Sequence, residues 1–385
     1  MTILNFCRSG MCLCSFTIII LPYQARSEWM SSGLKGGYGK IGFCMNINEP
    51  ILDASPPRLF PTLLKGFNTV AGRVQLILIP LLLDLFLWLG PKLRVHDLFV
   101  PILNELSTTM LKIAPQDLLE TVNATSSLYI EFLEQFNLFT FLRTFPIGIP
   151  SLLARIASLD SPLDLAGIIE VPSFRIGIAI LGGLLLAGFF LGTLFFNSLS
   201  RLSLDEPAKF DWKQLFSHFT QALIFFLILI ALLTMISVPV FIILSVLSLI
   251  SAPLAQFVLL GMIFLLIWMA LPLVFSPHGI FALDQKVVPS MLLSMRMVRF
   301  FLPGTSLFII FCILISEGFN LLWALPGTGS WLLALGIGGH AFIVTGLLCA
   351  SFVYYREGLK WMQFNIQKMQ KASRNPESGG TTVEQ

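Results

Sequence analysis

Residues 221–246 read QALIFFLILIALLTMISVPVFIILSV, an uninterrupted apolar run with no charged side chain. A helix needs about 20 apolar residues to cross the roughly 30 Å of hydrocarbon in a bilayer. This run meets that length, and a soluble core helix does not need it. Five other stretches have the same character. They run from Val70 to Gly90, Ile176 to Phe196, Pro253 to Phe275, Thr305 to Leu325 and Trp331 to Tyr355. Backbone groups in lipid have no water to bond, so each stretch is expected to be a helix. The expected fold is all-α: a polytopic integral membrane protein with six transmembrane helices.

Composition agrees. Of 385 residues 56% are hydrophobic and only 12% are charged, and the mean hydropathy is +0.84. A soluble domain carries about a quarter charged residues. The net charge of +3 is mild and its basic residues are dispersed, which excludes a nucleic-acid footprint. Cys7, Cys12, Cys14 and Cys44 lie near the start, while Cys312 and Cys349 lie within apolar runs. No Cys/His spacing suits zinc, and no cofactor is implied.

Lys and Arg set the expected orientation. Arg58, Lys65 and Arg73 precede the first span. Arg201, Lys209 and Lys213 lie between the second and third. Lys286, Arg296 and Arg299 lie between the fourth and fifth, and Arg356, Lys360, Lys368, Lys371 and Arg374 follow the sixth. The intervening connections at 247–252 and 326–330 have neither Lys nor Arg, and the long loop at 91–175 has six against nine Asp/Glu. Both termini are therefore expected in the cytoplasm of a multi-pass cell-membrane protein. Residues 1–44 look foreign to the rest and are read either as upstream translation before a natural start at Met45 or as a disordered leader. Residues 45–69 form a cytoplasmic amphipathic segment, 70–355 the membrane domain, and 356–385 a cytoplasmic tail that is disordered toward its end.

Before the first, third and fifth spans, large apolar residues alternate with basic ones. Examples are Phe60, Leu64 and Lys65; Trp212, Phe216, Lys209 and Lys213; and Leu292, Met295, Arg296 and Arg299. Such segments suit helices lying in the interface, their cations near anionic headgroups. The long outer loop is expected to be helical too. Leu98, Phe99, Ile102, Leu103, Leu106 and Met110 form one apolar face, and a second helix opens near Pro115. A break at 145–150 and a short helix through Ala157 follow, and the whole is expected to cap the bundle on its outer side.

The stretch Gly279-Ile280-Phe281-Ala282-Leu283-Asp284, with Ser294-Met295-Arg296-Met297-Val298-Arg299 after it, resembles the membrane domain sometimes fused to bacterial glycerophosphodiester phosphodiesterases. Related stand-alone six-helix proteins of the bacterial inner membrane are similar from Pro57 to Pro91, where Leu81-Leu82-Leu83-Asp84-Leu85 stands. The resemblance implies a fold and a membrane location. It carries no catalytic residue.

An ionisable group at membrane depth costs roughly 2.5–3.5 kcal/mol on insertion scales, so each is a candidate for function. Glu317 lies about 12 Å from the outer end of its span and His340 about 13.5 Å down the next, at 1.5 Å per residue. A pair between them is expected, with Asn320 on the Glu317 face and Asp84 near. Such a cluster could relay protons or coordinate a substrate, or simply join helices. His278 and Lys286 are expected to be solvated. Gly188 and Gly192 form a GxxxG motif that marks close packing within the chain. With no P-loop, serine elbow or metalloprotease motif, a non-catalytic envelope-organising or accessory protein is read first. A small transporter or channel and an intramembrane lipid-acting enzyme are the alternatives. Expected partners are the anionic cytoplasmic headgroups and a membrane protein of unspecified kind.

Overall fold

A computed structural model describes residues 55–374 apart from 114, 115, 117, 118, 155–160, 164–166 and 204–210. The leader at 1–44 and the end of the tail lie outside the described residues. The chain is almost wholly helical. Five helices are long and apolar enough to cross a membrane, or six if one bent pair counts as a single span.

That pair opens the fold. Helix α1, Leu59–Gly72, ends at Arg73, and the chain turns by 94° into a 3-10 turn at Val74–Ile77 and α2 at Leu78–Leu89. The side chain of Arg73 donates to the carbonyl oxygen of Leu202. Turn and helix together rise about 26 Å, slightly less than the hydrocarbon thickness. α3 (His96–Ile113) and α4 (Leu119–Gln135) follow. Then come α5 (Phe174–Ser203), α6 (Trp212–Ile250), α7 (Ala252–Ala270), α8 (Ser276–Leu283), α9 (Val287–Phe300), α10 (Leu302–Trp323) and α11 (Leu333–Arg374).

The amphipathic segments before the spans do not behave alike. α1 and α9 are helices in their own right. The segment at 212–219 instead runs without a break into the rest of α6, which is 39 residues long. Asp211 caps its start by accepting from Lys213 N at 2.8 Å. No Gly or Pro interrupts the helix before Pro239, so nothing turns it. α9 and α10 do separate: Phe301 has left helical geometry, and Pro303 sits in the first turn of α10, where its missing N–H costs nothing.

A small departure from an all-helical fold ties the long excursion to its root. β1 (Lys92–Arg94) pairs in parallel with β2 (Ile168–Glu170), Leu93 opposite Ile169. The pairing gives partners to backbone that has just left one helix and is about to enter another.

The core has two main parts. One joins Leu83, Leu87 and Trp88 to Phe195, Phe196, Phe225, Ile280, Phe281, Ile337 and Phe352, and includes Ile147, Ile149, Leu152 and Leu153. The other joins Leu63 to Phe275, Met297, Val298, Phe308, Tyr354, Tyr355 and Leu359. In α6, and in the stretch Ala252–Leu283, none of the most apolar window is buried. So much apolar surface left open on these helices suits lipid as the solvent, since water would drive it to collapse.

Candidate functional site

The segment that organises the interior is not a helix. Residues 145–154 were expected to be a break and a short helix in an outer loop. Ile147, Ile149 and Leu152 are instead almost fully buried, inside the same core as α2, α5 and α11. Gly192 makes room for this segment, and Gly188 makes room for the residues that lead into it. A Cβ on Gly188 would lie 2.6 Å from the carbonyl oxygen of Leu142, and one on Gly192 would lie 2.9 Å from Cα of Gly148. The GxxxG motif thus seats irregular backbone rather than a second helix.

Irregular backbone in a core has amide groups that no ladder satisfies. Asp84 satisfies them. Its Oδ1 accepts from Ser151 Oγ at 2.5 Å and from Leu153 N at 3.2 Å, and its Oδ2 accepts from Leu152 N at 3.0 Å. Ser151 Oγ in turn accepts from Ala154 N at 3.1 Å. Asp84 is fully buried in the middle of α2, and its carboxylate is used by the segment it caps.

The same helix is held at its end. Lys92 is 3% exposed, and its Nζ donates to the carbonyl oxygens of Leu87 and Trp88. A cation on the last carbonyls of a helix complements its dipole. Burial lowers the Lys92 pKa from its ordinary value. Trp88 Nε1 donates to Thr328 O at 2.7 Å, which pins α2 to the turn between α10 and α11. Asn137 Oδ1 accepts from Leu93 N and Phe139 N, joining β1 to a 3-10 turn at Leu138–Arg143.

His340 and Asn320 meet across α10 and α11: His340 Nδ1 and Asn320 Oδ1 stand 2.8 Å apart, with both residues buried. Asn320 was expected on the Glu317 face of this cluster, and it is the residue that bonds to His340 Nδ1. Glu317, one turn earlier on α10, is exposed at the helix surface. Trp323 covers Gly336 and Gly339 beside the pair, close enough that a Cβ on either would collide with it.

Two further histidines carry more than the sequence suggested. His278, expected to be solvated, is 5% exposed and encircled by Phe275, Phe352 and Tyr355. Ser351 Oγ donates to Leu348 O at 2.7 Å, so the 2.7 Å contact between His278 Nε2 and Ser351 Oγ has the imidazole as donor. His218, on α6, is 3% exposed, and its Nε2 lies 2.8 Å from Asp284 Oδ1. Asp284 ends α8 in the left-handed region, at φ 51°. It also accepts from Gln214 Nε2 at 2.6 Å, and Gln214 accepts from Arg201. The His218 hydrogen bond, opposed by burial and aided by Gln214 and Arg201, holds the Asp284 carboxyl below its ordinary range.

An aspartate on one imidazole nitrogen is the arrangement that primes a general base. Here the second nitrogen, Nδ1 of His218, is sealed in the interior and the ring packs edge-on to Phe281 at 5.1 Å. A substrate has no approach to it. The dyad fastens α6 to the turn between α8 and α9. Val287 N, donating to Gln221 Oε1 at 3.1 Å, reinforces that joint.

The four interfacial cations divide. Arg296 and Arg299 are exposed on α9, Lys213 is exposed at the start of α6, and Lys209 lies outside the described residues. Among the described residues no group of three His, Cys, Asp or Glu side chains is placed to hold a metal ion. No family model, curated protein or solved structure matches the chain.

Proposed function

We propose that this chain is a multi-pass protein of the cell membrane, its termini in the cytoplasm, that serves as a non-catalytic accessory or organising component of the envelope. The observation that supports this most is the fate of Asp84. An acid deep in an apolar helix is the natural candidate for a transported proton or ion. Its oxygens accept three hydrogen bonds from residues 151–153. Asn320–His340, His278–Ser351 and His218–Asp284 follow the same logic, each joining one element to another. Polar groups inside the membrane here act as joints between helices.

The test uses Asp84→Asn and His340→Gln in the full chain, reconstituted into liposomes. Asn offers an amide donor where two backbone N–H groups need an acceptor, and a buried donor left unpaired costs about 1–3 kcal/mol. Both variants are expected to yield less folded protein and to melt earlier. The wild type is expected to carry no proton-coupled flux. A wild-type flux that His340→Gln abolishes at unchanged melting temperature would favour the transporter reading instead.

A further inference from the structure

The three amphipathic segments gather at one end of the fold. Thr62 and Lys65 of α1 both donate to Glu357, on the part of α11 that follows its apolar run. Phe300 of α9 packs edge-on to Trp361, one turn further along α11. Gln214 and His218, near the start of α6, meet Asp284 just before α9. In the chain these segments are far apart, and the packing sets them at one level.

Each leaves the same mixture uncovered. On α9, Val288, Leu292, Arg296 and Arg299 are exposed, and at 3.6 residues per turn they fall within about 80° of arc. On α6, Trp212, Lys213 and Phe216 are exposed within about 100°. On α1, Phe60 and Leu64 form the exposed apolar stripe, Lys65 flanks it, and Arg58 stands at the helix start. With α2 crossing the bilayer, the 94° turn between the two lays α1 along the membrane surface. Phe60 stands edge-on to Phe311 of α10 at 5.7 Å, so the stripe lies beside a spanning helix.

No Asp or Glu occurs in residues 59–72, 212–220 or 287–300. The described acids nearby are engaged: Glu357 by Lys65 and Thr62, Asp284 by His218 and Gln214, and Asp211 by the backbone of Lys213. The α3–α4 hairpin has the opposite balance, with Asp97, Glu105, Glu120, Glu131 and Glu134 exposed against Lys112. Cations beside an open apolar stripe fit anionic headgroups and the acyl chains beneath them. We propose that α1, the start of α6 and α9 form a belt that binds anionic phospholipid. Arg58, Lys213, Arg296 and Arg299 meet the phosphates, and the stripes lie among the upper methylenes. The inference rests on the multi-pass reading above and gives it a lipid partner.

The probes are spin-labelled phosphatidylglycerol and spin-labelled phosphatidylcholine, each added to the full chain in phosphatidylcholine bilayers. The fraction of each that the protein immobilises gives their relative affinity. Phosphatidylglycerol is expected to associate about fivefold more strongly at low salt, a preference that fades as salt rises. Lys213→Gln with Arg296→Gln and Arg299→Gln, all at exposed positions, is expected to bring the preference below about twofold at unchanged melting temperature. Lys112→Gln on α3 is expected to leave it as it is. Equal association of the two lipids with the wild type, or a preference indifferent to the triple variant, would overturn the proposal. So would an environment-sensitive label on Leu64→Cys that reports water in these bilayers, because an aqueous partner and not lipid would then meet the stripe. The belt meets whichever leaflet it faces, so a failure here leaves the orientation and the accessory reading to their own tests.

Discussion

Asp284 shows how much one side chain can be asked to do. It takes the left-handed conformation that ends α8 and accepts from both His218 and Gln214. Its folded pKa lies below the unfolded value, so the bonds it accepts contribute stability above the ordinary carboxylate range. That contribution is lost as pH falls through the folded value. Asp284→Asn keeps the left-handed preference and removes the titration. The wild type is expected to melt above the variant near neutral pH and to lose that advantage below about pH 4. Parallel melting curves across the range would refute the role given to this carboxyl. His218 and Asp284 stand 66 positions apart, and Asp84 and Ser151 stand 67 apart. Reading along the chain can mark such residues as costly. It cannot name their partners, because the partner is set by how elements pack.

At the scale of elements, small residues decide which surfaces come close. α1 crosses α11 where Gly66 faces Gly346 and Ala350, and a Cβ on Gly66 would lie 2.5 Å from Ala350 N and Gly346 O. Both obstacles are backbone and cannot swing aside. Lys65 and Glu357 close the same crossing with a 2.5 Å ion pair, worth little because Lys65 is largely exposed. Gly66→Ala and Gly188→Ala are each expected to destabilise the protein by about 1–3 kcal/mol through overpacking. Gly182→Ala, in the same helix as Gly188 but with open space around it, is expected to be neutral or slightly stabilising. Thermal melts of the three variants in one detergent would separate them, and similar melting points would sink the packing argument. The GxxxG motif was legible as a place of close approach. What approaches is the end of the 3-10 turn and the chain after it, at 142–148, which no periodicity announces.

For the whole molecule, the testable claim is orientation. The orientation proposed above, with an even number of crossings and the basic connections inside, puts the tail and the α3–α4 hairpin on opposite sides of the membrane. Single cysteines at Asn104 and Gln367 in a cysteine-free background are expected to differ in intact cells. An impermeant maleimide should label the first and spare the second until the membrane is opened. Labelling of position 367 in intact cells would reverse the assignment.

The sequence alone determined where helices run and that most of them suit a lipid solvent. Both follow from length, hydropathy and the cost of unpaired backbone in hydrocarbon, which are properties of a stretch of chain read in order. Only the tertiary structure decided that residues 145–154 enter the core, that Asp84 serves them, that His278 is enclosed, and that Asn320 meets His340. The physical reason is that a hydrogen bond or a burial belongs to a pair of surfaces. Hydropathy assigns a residue to a solvent, while its neighbour is chosen by the packing of the assembled bundle.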